Sequence, residues 1–94
     1  MADLESLTKD DFVPLVHQRF RVDPGGQTPF EVELVEVSEI AREPGGRAPF
    51  SLVFAGGPSA PLSQRIYRLE HDHLGALEIF LVPIAAGRYE AVFT

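Results

Sequence analysis

Short runs of alternating apolar and polar residues, cut by Pro and Gly clusters about every ten residues, leave this chain little but antiparallel β-structure. After His17 the breakers fall at Pro24-Gly25-Gly26, Pro44-Gly45-Gly46, Gly56-Gly57-Pro58-Ser59-Ala60-Pro61, Asp72-His73-Leu74-Gly75 and Ala86-Gly87-Arg88. None of these connections can hold the helical crossover that parallel neighbours require, so the strands pair antiparallel.

The runs between the breakers have a period of two, which sets one face against the other. Phe20 and Val22 alternate with Arg19 and Arg21. From Phe30 to Ile40, Val32 and Leu34 oppose Glu31 and Glu33, and then Val35 and Val37 take the other parity. That slip at Leu34-Val35 predicts a β-bulge, which restores the apolar face and bends the strand. Phe50, Leu52 and Phe54 form a third strand, and residues 65–71 a fourth, with Tyr67, Leu69 and His71 on one side. Residues 76–83 are apolar on both sides and read as a central strand. Tyr89, Ala91 and Phe93 mark the last.

Before His17 the period is helical. Phe12, Leu15 and Val16 share a face, Thr8 is placed as an N-cap with Asp11 near the capping-box position, and Pro14 limits the helix to a turn or two. The predicted class is mainly β: a short N-terminal helix followed by about six antiparallel strands in a small barrel or sandwich. All 94 residues form one domain, with residues 1–6 expected to fray. Seven Phe supply the bulk of the core.

One internal echo stands out. Residues 24–30 and 44–50 both read Pro-Gly-Gly-x-x-Pro-Phe. Turn chemistry explains it as two similar hairpin loops, each ending in a Pro that opens a strand.

Composition removes several functions. With no Cys, there is no disulfide, thiolate zinc site or Cys nucleophile, which suits a reducing compartment. Eight basic against fourteen acidic residues give a net charge of −6, which argues against nucleic acid and anionic membrane surfaces as partners. The first nine residues lack the basic and apolar regions of a secretory signal, and no apolar run is long enough to span a bilayer. The expected location is cytoplasmic.

Catalytic motifs are missing. Ser59 or Ser63 with His71 and an Asp would have the side chains of a triad, but there is no nucleophile elbow. Gly45-Gly46-Arg47 offers donors and a cation but does not lead into a helix. His71 and His73 are the one metal-like pair, and a hairpin end accounts for them as well. The acids Glu31, Glu33, Glu36, Glu39 and Glu43 form a ribbon that solvates a strand, with Arg19, Arg21, Arg65 and Arg68 available to pair with it. No catalytic residue, metal or cofactor is assigned, and the chain is expected not to be an enzyme.

The segments Arg47 to Phe54, Tyr67 to His71, Leu74 to Pro83 and Tyr89 to Phe93, together with Leu7-Thr8 and Asp11 to Val16, resemble a family of short bacterial proteins classed only as a domain of unknown function. The resemblance spans nearly the whole chain. It implies a small β protein with no assigned activity, and an accessory role beside phage-tail-like or fibre proteins. The expected function is therefore a structural or interaction module that binds another protein or a second copy of itself. Arg47, Tyr67, Arg68, Val92 and Phe93 are the candidate contact residues, and the C-terminal strand is an edge open to pairing. A small-ligand-binding barrel is the alternative, although seven Phe favour a filled interior.

Overall fold

A computed structural model describes residues 7–25, 28–40, 49–57 and 63–93. Helix α1 (Lys9–Phe12) runs into a 3-10 turn at Val13–Leu15, and six strands follow: β1 (Arg19–Asp23), β2 (Phe30–Glu39), β3 (Phe50–Gly56), β4 (Arg65–His71), β5 (Gly75–Ala85) and β6 (Arg88–Phe93). The strands close into an antiparallel barrel in the order β1-β2-β3-β6-β5-β4.

The helix starts where the sequence places it. The Asp11 carboxylate accepts a hydrogen bond from the Thr8 backbone N–H at 2.7 Å, one half of a capping box. Pro14 has no N–H to continue the α-helical ladder, so the chain tightens into the 3-10 turn. His17 then takes a positive φ of 74°, which reverses the chain into β1. Its backbone N–H donates to the Leu34 carbonyl, and the Leu34 N–H donates back to the Gln18 carbonyl at 3.0 Å. These bonds hold an unfavourable backbone conformation in place.

The bulge in β2 is present. Leu34 pairs with Phe54 and Glu36 with Val53, which leaves Val35 as the extra residue. Val37 thereby returns to the inner side opposite Leu52. A second irregularity between Pro83 and Ala85 in β5 sits beside the Pro that lacks a ladder donor. Gly75, at φ +80°, follows the three-residue turn Asp72-His73-Leu74, where a tight β-hairpin needs a left-handed residue.

The neighbour order departs from a simple up-and-down meander. β1-β2-β3 and β4-β5-β6 are each meanders, but β3 lies beside β6 and β1 beside β4. The longest breaker stretch of the sequence falls between these two meanders, from Gly56 to Arg65. The two Pro-Gly-Gly echoes are the β1–β2 and β2–β3 connections, at opposite ends. Their Phe residues also differ, since Phe50 is fully buried and Phe30 only half-buried.

The interior is filled by side chains, as expected for so small a barrel. Phe20 packs edge-on against Phe54 at 5.3 Å, and Phe50 stacks on Phe93 at 4.7 Å. Phe12, on the helix, plugs that end, 5.8 Å from Phe50 and 5.6 Å from Phe93. Leu52, Leu69, Leu77, Leu81 and Tyr89 complete the core. Offset and edge-to-face aromatic contacts add specificity to the area they bury. Among the described residues no helix is long and apolar enough to cross a membrane.

Candidate interaction surface

Two parts of the outer surface bring functional side chains together. The first is the helix-bearing end, where Gln18, just before β1, meets the β4–β5 hairpin. His71 is held there on both ring nitrogens. Its Nδ1 accepts from the His73 backbone N–H at 3.0 Å, which places the ring proton on Nε2, and Nε2–H donates to Gln18 Oε1 at 2.7 Å. The ring also lies 4.7 Å from Phe20. Burial pushes the imidazole below its ordinary value of 6.5; Asp72 opposes this and His73 adds to it. His71 is thus a latch between the chain entering β1 and the hairpin.

That geometry also removes the basis for treating His71 and His73 as a metal pair. Strand periodicity would align them, but β4 ends at His71 and His73 sits in the turn. The Nδ1 lone pair already serves the His73 backbone. Among the described residues no three His, Asp or Glu side chains are grouped to hold a metal ion. The adjoining cleft, of about 470 Å³, is open and lined by Gln18, Arg19, Arg21, Glu70 and His71 among others. Its charges are partly matched: Arg19 is 3.5 Å from Glu31, and Arg21 is 3.7 Å from Glu70.

The second region is the outer wall of β4, β5 and β6. Ile66 pairs with Phe80 in register, and both point away from the core. Val82 pairs with Glu90, and Val92 lies two residues beyond that pair on β6. Ile66, Phe80 and Val92 are 61%, 49% and 54% exposed, on the outer faces of β4, β5 and β6, and Ile66 and Phe80 are direct cross-strand partners. Ile84, on the irregularity in β5, is also half exposed. Exposed apolar residues scattered singly need no explanation, whereas Ile66, Phe80 and Val92 share one outer wall. Arg68 pairs with Glu78 on one side of Phe80, and Glu90 stands on the other.

The five residues that the sequence singles out for contact divide. Arg68 and Val92 are exposed on this wall. Tyr67 and Phe93 are core residues instead: strand parity turns both inward, leaving them 3% and 7% exposed. The Tyr67 hydroxyl donates to the Ser63 carbonyl at 2.6 Å, and the Arg65 guanidinium lies over its ring at 4.7 Å while donating to the Pro24 carbonyl. Arg47 lies outside the described residues, as do Ser59, Gly45 and Gly46. The C-terminal strand is not a free edge, because β6 pairs with β3 along its length through Phe93 and with β5 from Glu90 back to Arg88. Only its last residues, Ala91 to Phe93, have a strand partner on one side alone among the described residues.

Ile66, Phe80 and Ile84 are the residues that sequence reasoning missed. A strand apolar on both sides reads as buried on both, and only the closed topology shows which side meets solvent. Of the acidic ribbon, Glu31, Glu33, Glu36 and Glu39 lie on β2, with Lys9 on Glu39 at 3.2 Å and His17 on Glu33 at 3.1 Å, whereas Arg21 and Arg68 turn to Glu70 and Glu43 lies outside the described residues.

No curated protein and no solved structure matches this chain. A family model does, over residues 7–93, which is nearly the full length. The chain belongs to the family described as Domain of unknown function (DUF6916).

Proposed function

We propose that this domain is a non-enzymatic protein-interaction module whose contact surface is the outer wall of β4, β5 and β6. The single observation that carries the reading is the exposed cross-strand pair Ile66–Phe80, with Val92 exposed on the same outer wall, on a barrel whose interior is already packed. An apolar patch rimmed by Arg68, Glu78 and Glu90 has the anatomy of an interface core with a polar rim. Packed side chains, as opposed to a lined cavity, favour this over a ligand-binding barrel. The cysteine-free composition suits work in the cytoplasm. The finer role, assembly accessory to a phage-tail-like or fibre protein in a bacterium, is supported only by the sequence resemblance.

The test is a paired capture with tagged wild-type protein and the Phe80→Glu variant. One stoichiometric partner held by the wild type and lost by a folded variant supports the reading. A partner retained equally by both contradicts the assignment of this wall.

A further inference from the structure

We infer that the β4–β6 wall is covered by a second copy of this chain, in a weak two-fold dimer centred on Phe80. This rests on the reading of the wall as a contact surface and names its occupant.

The argument is one of charge. The chain carries a net charge of −6, so copies repel one another over most of their surface. The repulsion is uneven. Strands β1 and β2 hold Arg19 and Arg21 against Asp23, Glu31, Glu33, Glu36 and Glu39, two cations to five acids, or −3. Strands β4 to β6 hold Arg65, Arg68 and Arg88 against Glu70, Glu78 and Glu90, three to three, or zero. A basic partner would be drawn to the first wall. The second admits a neutral, apolar surface, and the same wall of another copy is one.

The rim is also self-complementary. Arg68 lies two residues along β4 from Ile66 on the side toward His71. Glu90 pairs with Val82, two residues along β5 from Phe80 on the opposite side. The two therefore occupy diagonal corners of a patch with Phe80 at its centre. A two-fold axis through Phe80, running across the strands obliquely, sets Phe80 against Phe80 and places each Arg68 on the Glu90 of the other copy. Such an isologous contact makes both pairs at once.

A small area goes with a weak, transient contact. A standard interface takes roughly 800 Å² from each partner, about one-seventh of this chain's 5745 Å². Three strands of a convex wall, spaced roughly 4.8 Å apart, offer less than that. The dimer is therefore weak, with a dissociation constant of roughly 10–100 µM.

Sedimentation velocity across a concentration series, with circular dichroism to confirm folding, tests this on the full chain. The wild type should shift from monomer to dimer in that range. Phe80→Glu should weaken association by at least about tenfold, the cost of placing two carboxylates face to face at the centre. Arg68→Glu alone and Glu90→Arg alone should each weaken it, and the two combined should restore it. A wild type that stays monomeric up to about 1 mM overturns the dimer while leaving the wall open to a different protein, which the paired capture reads separately. Dimerisation untouched by Phe80→Glu overturns the surface, and failure of the combined swap to restore association overturns the two-fold geometry.

Discussion

The two walls of this barrel share one interior and differ outside. On β1 and β2 nearly every outward position is charged: Arg19 pairs with Glu31 and Arg21 with Glu70 across strands, and Lys9 and His17 reach in from the helical segment to Glu39 and Glu33. On β4 to β6 the outward positions include Ile66, Phe80 and Val92. Inward positions are apolar on both. The fold therefore requires only one side of each strand to be apolar, and the second apolar side of β5 is not explained by folding. A charged wall keeps an acidic protein dispersed and blunts association, whereas an apolar wall invites contact. The difference between them is where function is to be sought.

The largest expected effect lies beneath both walls. Phe54→Ala removes a fully buried ring that packs on Phe20, and should cost about 3–5 kcal/mol in denaturant unfolding, a large part of the stability of a domain this size. If it costs little, the interior is not the shared support that the comparison assumes. Gly75→Ala comes next. Its φ of +80° strains any side chain although the space is open, so a loss of about 1 kcal/mol or more is expected from thermal or urea unfolding. A smaller loss would mean the β4–β5 hairpin that carries His71 tolerates another turn.

The third prediction concerns pH. His71 is lowered in the folded state from 6.5, so between its folded-state value and 6.5 the unfolded chain binds more protons. Its contribution is fully present above 6.5, falls as the pH drops through that window, and is lost below it. His71→Gln should flatten this part of the urea-midpoint profile relative to wild type. A profile unchanged by the substitution would assign the dependence to other groups. The smallest effects belong to the charged wall. Arg19→Ala should cost less than about 1 kcal/mol and less still at high salt, because Arg19 and Glu31 are both mostly exposed. A larger, salt-resistant loss would show that this wall carries more structure than its exposure implies.

Much of the architecture is legible in the sequence because the relevant signals are local. The parity slip at Leu34-Val35 gives the bulge, Pro14 ends the helix, and period-two runs between breakers give six strands. Strand order is not local. The same breakers suit β3 beside β4 or β3 beside β6, and only packing of the two meanders decides. The proposed contact surface is half legible for the same reason. Arg68 and Val92 fall on it, but Tyr67 and Phe93 turn inward by the alternation that makes their strands apolar on one side. Phe80 was hidden within a run apolar on both sides, where alternation carries no information about which side stays dry.

The central claim is that binding uses the β4–β6 wall and not the barrel interior or the charged wall. Amide chemical-shift mapping by NMR, with the protein taken from about 20 µM to about 1 mM, tests it most directly. Shifts that grow with concentration and cluster around Ile66, Phe80 and Val92 are the predicted result. Shifts confined to β1 and β2, or none that depend on concentration, would contradict it.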